Sequence, residues 1–367
     1  MKQDRIPQLQ GLRGLAMLGI FLMHTQSFWS YTGFGKWNFI ADDLGRSGVI
    51  IFIMLSGFLL TYKEKEIPIL QLTDRLKACR LKFHRLYLLY VLTLVIAFFG
   101  YGRIPQTPTD WFYAAISLPL CLTYTQDLIP HVGVNISYNG PSWYISALFI
   151  IWLLIYTFPK KINIIRRLGS KQCLKAILVI VVVQLAYKCG EYYFPTHLIP
   201  INHPQIYMAW ISYFNPFYNL SYFVLGCFIG RLALLPHRSF FPLGTLAFVV
   251  MSVCIPTLID LSFLKLLKPL FFEIFISILL LYIMYDNSVL KTAITIPPLV
   301  RFGNISASFF LIHGVVNYHL RYAEDYITKP LLFFLSFVLS LVLSILSEKY
   351  LILKNHESIL QHLKKTA

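Results

Sequence analysis

Charge is scarce in this chain. Asp, Glu, Lys and Arg make up 13% of its 367 residues, where a soluble globular domain carries about 25%. Acids are the scarcer sign, with 16 Asp and Glu against 32 Lys and Arg and a formal net charge of +16. That poverty excludes the two or three soluble domains that length alone suggests. The cysteines Cys79, Cys121, Cys173, Cys189, Cys227 and Cys254 are scattered without paired spacing, which argues against a disulfide framework, a zinc site or any other metal centre. No Ser/Gly-rich linker, low-complexity tract or clear internal repeat marks a second domain. No basic module, aromatic RNA-binding motif or zinc pattern accompanies the positive surplus, so no nucleic-acid partner is expected. The first apolar stretch lacks a small-residue cleavage site, so a signal peptide is not expected.

What the chain has instead is apolar surface. Hydrophobic residues reach 57% and the mean hydropathy is +0.64. A membrane-spanning helix needs about 20 mostly apolar residues. Ten segments read as crossings: roughly 11–29, 44–62, 86–102, 142–159, 174–188, 215–232, 240–262, 269–285, 304–320 and 330–353. Trp111 to Tyr124 is too short to cross comfortably and reads as re-entrant or interfacial. The expected fold is therefore an all-α polytopic membrane bundle, one transmembrane unit over 1–355 with a short cytoplasmic tail at 356–367. With the N-terminus inside, the ten crossings put 24 of the Lys and Arg residues on the inner side and 8 on the outer. A full crossing at 111–124 would turn the basic run Lys160 to Lys175 outward, against the positive-inside bias. Both termini are thus expected in the cytoplasm. The largest outer loop, about 189–214, is rich in Pro, Tyr and His. It reads either as a contact with something outside the cell or as an aromatic interfacial loop.

Ionisable residues inside a span are costly and suggest function. The first span carries Arg13 and His24, eleven residues apart. On a helix this is about 20° beyond three full turns and about 16 Å along the axis, so both share one face. Alone, Arg13 suits a snorkelling cation and His24 an interhelical hydrogen bond. Gly11 and Gly14 permit close packing nearby, and Ser56 and Gly57 in the second span read most plainly as small packing residues. Lys82 and Arg85, in the basic stretch Arg80-Leu81-Lys82-Phe83-His84-Arg85, lie three apart on one helical face. That pair suits phosphate or a simple inner-surface anchor. Ser142, Trp143 and Tyr144 open the fourth crossing, where the aromatic pair also suits an interfacial belt. His313 lies near the middle of the ninth, nine residues from Asn304. Glu273, in the eighth, is an acid with no partner to name.

In this order, these patches resemble the membrane acyltransferase-3 family, integral-membrane O-acyltransferases of bacterial cell-surface glycans. Leu12-Arg13-Gly14-Leu15-Ala16 with His24 fits its Arg/Lys-x10-His pattern. Gly48 through Phe58 looks like its second-span signature, and Phe310-Leu311-Ile312-His313 like its late signature. The likeness covers essentially the whole chain. Two positions depart: Lys82 stands where the family often has the first Arg of Arg-x-x-Arg, and Leu148 where many members have the Glu of Trp-Ser-Leu-x-x-Glu. At this length, the extracytoplasmic hydrolase-like domain that some members add is not expected.

The resemblance implies acyl-CoA, by default acetyl-CoA, as co-substrate on the cytoplasmic side, and a glycan or lipid-linked saccharide as acceptor on the other. It implies His24, Arg13 and His313 as the catalytic candidates, and Arg13, Arg80, Lys82 and Arg85 as the coenzyme-binding ones. Ser142, Trp143 and Tyr144 would face the acceptor. His24 would act as general base or be transiently acylated, with Tyr144, His313 or Ser142 as candidate oxyanion donors. Two other classes compete: a transporter or flippase of lipid-linked sugars or small anions, and a membrane receptor or scaffold with buried polar packing.

Overall fold

The structure is a computed structural model that describes residues 6–29, 38–63, 66–193, 204–236, 262–285 and 289–352. The described residues are helical, with no strand among them. The longer helices are α1 (Pro7–His24), α2 (Asn38–Lys63), α3 (Leu72–Phe98), α4 (Pro108–Leu122), α5 (Trp143–Thr157) and α6 (Ser170–Tyr193). They continue with α7 (Pro216–Leu232), α8 (Ser262–Tyr285), α9 (Pro297–Asn304), α10 (Ser306–Leu320) and α11 (Lys329–Ser347), the last extended by a π-helical turn over Glu348–Ile352.

Among the described residues six helices are long and apolar enough to cross a membrane, and α9 with α10 make a seventh if that pair, bent by 74°, counts as one broken span. The six carry the expected crossings 44–62, 86–102, 142–159, 174–188, 269–285 and 330–353. The seventh carries 304–320. Segments 11–29 and 215–232 fall on α1 and α7, which do not meet the same test. α7 has only 17 residues, and α1 carries Arg13, two glutamines and three glycines, which its place against the central helix α2 accommodates because protein replaces lipid there. Segment 240–262 lies outside the described residues. The short helix α4 has 15 residues, and its start is set by a capping box in which Thr107 and Asp110 satisfy each other's backbone N–H.

Peripheral and central helices differ in where their apolar atoms go. On α6 only 17% of the apolar window is buried, against 67% on α2. Leu174, Leu178, Val179, Val182 and Val183 form an exposed stripe on α6. Water would not tolerate such a stripe on a monomer, whereas lipid tails solvate it. This is a membrane protein. The centre is held by backbone contact: a side chain at Gly57 would collide with the Phe223 carbonyl oxygen of α7, and one at Gly11 with the Ile294 carbonyl oxygen. Gly57 therefore packs as its sequence context suggests.

Candidate active site

α1 ends at His24, and its ring meets that of His313 in α10 at 5.2 Å between centroids. His313 is fully buried. Its Nδ1 lies 3.0 Å from the Phe309 carbonyl oxygen. A carbonyl only accepts, so Nδ1 carries the hydrogen and Nε2 is left as an acceptor, with no partner among the described residues. The ring lies parallel to Phe309, at 7° and 6.0 Å. One turn further along α10, the Asn317 amide donates to the His24 carbonyl oxygen at 3.3 Å. Ser336 of α11 donates in turn to Asn317. The end of α1 is thereby tied to two helices distant in sequence.

A second polar group stands beside this pair. Arg103 donates to the Tyr318 hydroxyl and lies over its ring, 4.2 Å from the centroid. The Tyr318 hydroxyl also accepts from the Gly140 backbone N–H at 3.2 Å. The Arg103 charge is close enough to act on His24.

Toward the start of α1 there is a cavity of about 330 Å³. Its charged lining is Arg13, Lys63, Arg85 and Glu348, with Gln10 and Asn304 as polar neighbours. Arg85 pairs with Glu348 at 2.7 Å, and the other Glu348 oxygen accepts from Ser308 at 2.7 Å. Three cations against one acid leave the cavity positive. Lys82 does not line it. Its ammonium lies 3.4 Å from the centroid of the Trp152 ring, while Arg80 is exposed on α3. Residues three apart are still about 60° apart around a helix. That angle sends Lys82 toward α5 and Arg85 toward the turn that follows α11.

The residues opening α5 diverge. Tyr144 lies within electrostatic reach of Arg13 and beside the Ser56 hydroxyl, with its ring 5.3 Å from Phe310. Phe310 is 5.9 Å from His313. A file of side chains thus runs from Arg13 through Tyr144 and Phe310 to His313 and His24. Trp143 turns the other way, onto Tyr213 at 4.8 Å and Phe214 at 5.0 Å. Ser142 is fully buried, and its hydroxyl has no partner among the described residues. Leu148 packs against the core.

Sequence reasoning missed Lys63, Glu348, Ser308, Arg103, Tyr318 and Asn317. Only Asn317 carried a local signal, since it follows His313 by four residues and so shares its face. Among the described residues no three His, Cys, Asp or Glu side chains gather as metal ligands.

Residues 6–349 match the acyltransferase-3 family, described as an acyltransferase domain. A relative, the acyltransferase MdmB of Streptomyces mycarofaciens, is 28% identical over 174 residues, or 46% of this chain and 42% of that protein. The chain therefore matches less than half the length of that relative. No solved structure matches it. The family match spans α1 and its histidine, the cationic cavity and the His313 helix together, and the chain belongs to the acyltransferase-3 family.

Proposed function

We propose that the protein moves an acyl group, acetyl by default, from acyl-CoA to a hydroxyl of a cell-surface or secreted glycan. The observation that carries this reading is the file of side chains joining a positive cavity to the His24–His313 pair. CoA is polyanionic, and Arg13, Lys63 and Arg85 supply the charge-assisted donors that its phosphates need. Its pantetheine arm is long enough to carry a thioester along the roughly 16 Å from Arg13 to His24.

His24 acts as base. Neutral imidazole has one ring nitrogen with a free lone pair, which can take a proton and later return it. The acceptor hydroxyl oxygen attacks the thioester carbonyl carbon, and its proton passes to His24. The carbonyl π pair moves onto oxygen. Collapse of the tetrahedral intermediate re-forms the carbonyl and breaks the C–S bond, and the thiolate takes the proton back from His24. His313 holds the His24 ring, and Arg103 with Tyr318 supplies donors near the developing oxyanion. The chain sits in the inner membrane with about ten crossings and both termini in the cytoplasm, so the donor cavity opens inward.

The test is labelled acetyl-CoA added to membranes with and without the protein, followed by glycan ester analysis. Incorporation should need the protein and vanish in His24→Ala at equal membrane content. Full incorporation by that variant sinks the assignment of His24. No incorporation with any acyl-CoA, together with label-free sugar movement across the membrane, would favour a transporter.

A further inference from the structure

A second cavity, of about 240 Å³, lies at the other end of α2. Arg46 and Ile50 line it, whereas Leu59 and Lys63 line the first. The thirteen residues from Arg46 to Leu59 separate the two by roughly 20 Å. Its remaining walls come from α6 with Lys188 and Glu191, from the turn before α7 with Ser212 and Tyr213, from α7 with Tyr218, Asn219 and Tyr222, and from Val49 of α2 and Pro269 of α8. Two sequence features without a role, the Tyr-rich loop and Glu273, thus meet at one place. Glu273 is fully buried and lies close to Gln184 and within electrostatic reach of Tyr218 and Tyr222.

The lining is built rather than accidental. Lys188 and Glu191 form an ion pair at 2.7 Å with side chains only 4% and 10% exposed. Burying such a pair costs desolvation and is poor value for stability alone. The Lys188 ammonium also lies 4.8 Å from the Tyr218 ring centroid. Tyr222 donates to the Tyr218 hydroxyl at 3.2 Å, and Arg46 stacks over Tyr213 at 5.0 Å.

The chemistry of the walls selects the ligand class. A simple anion would meet Glu191, and a simple cation would meet Arg46 and Lys188. Vicinal hydroxyls both donate and accept, so a neutral polyol satisfies both kinds of wall at once. Aromatic rings beside such groups suit an amphipathic sugar ring. The volume lies below that of a drug-sized pocket, which limits the occupant to about one ring.

We propose that this cavity is a subsite for one neutral sugar ring of the acceptor. The inference deepens the acyl-transfer reading and takes the word acceptor from it. Trp143 and Tyr144 join the two regions: Trp143 packs on Tyr213 in the cavity wall, and Tyr144 on Phe310 beside His313. Met23 also packs against Gly45, which sets His24 level with Arg46 along α2. A ring held here directs the adjoining part of the glycan past Trp143 and Tyr144 toward His24.

The test uses the full chain in nanodiscs and saturation-transfer NMR. The probes are methyl glycosides of glucose, galactose and N-acetylglucosamine at roughly millimolar concentration, the range of weak single-ring binding. At least one should give ring-proton transfer, reduced fivefold or more in Arg46→Gln and in Tyr218→Phe, and unchanged by inorganic phosphate. Arg46 is exposed, so its variant tests the site without risk to folding. Transfer that is absent for all three probes, equal in the variants, or abolished by phosphate overturns the proposal. Acyl-CoA binding is measured on the same samples and should not change in either variant. Acyl transfer that persists without glycoside binding removes the subsite and leaves the acyl-transfer reading intact. Glycoside binding that the variants lose, without any acyl transfer, keeps the subsite and removes that reading.

Discussion

Glu348 sits in the cationic cavity with one oxygen on Arg85 and the other on Ser308. Whatever anion enters competes with it for Arg85. Glu348→Gln keeps a polar group in place but removes the charge, so the apparent KM for acyl-CoA should fall a few-fold. Arg85→Ala removes the donor and leaves the acid facing the phosphates. A hydrogen bond to a charged group contributes roughly 1.5–3 kcal/mol, so that KM should rise about tenfold or more. Lys82→Ala should change it little, because Lys82 rests on Trp152. Acyl-CoA titrations of the three variants check the order, and equal effects of Lys82 and Arg85 would reject the cavity as the donor site. At this scale the sequence shows that basic residues cluster in one stretch of α3. It does not choose between Lys82 and Arg85, because the choice depends on which neighbour lies along each side of α3.

Six of the ten expected crossings fall on helices long and apolar enough to span, since apolar periodicity reads local pattern. The helix that carries the 86–102 crossing begins at Leu72, because the basic turns before the apolar run are helical yet polar. Periodicity also could not weigh α1 and α7, whose surroundings are protein. The α2–α7 contact makes this testable. A methyl group at Gly57 has nowhere to go but the Phe223 backbone. Gly57→Ala should destabilise by about 1–3 kcal/mol, the range for overpacking, and should lower the thermal midpoint in detergent. Gly169→Ala, where an added carbon meets only the end of Gln172 at 3.9 Å, is the control and should leave the midpoint unchanged.

Across the whole molecule, the two cavities lie at opposite ends of α2, and the positive-inside count assigns those ends to opposite faces of the membrane. That count puts Lys171 inside and Tyr326 outside. Tyr326 is 88% exposed and Lys171 is exposed as well, so single cysteines at these positions in a cysteine-free background report the topology. A membrane-impermeant maleimide added to intact cells should label Tyr326→Cys and spare Lys171→Cys. The reverse pattern would invert the assignment of donor and acceptor ends.

The sequence by itself determined the membrane class, the surplus of positive charge on one side of the expected topology, and the common face of Arg13 and His24. Each follows from composition or from the repeat of a single helix. Tertiary structure alone decided that His24 meets His313, that Arg85 finds Glu348, and that Lys188, Glu191 and three tyrosines enclose a cavity. His24 and His313, Arg85 and Glu348, and the helices that wall the cavity are far apart along the chain, and helical periodicity sets only the direction a side chain takes from its own axis. Which partner stands in that direction depends on how the helices pack around α2, where glycine contacts set the spacing.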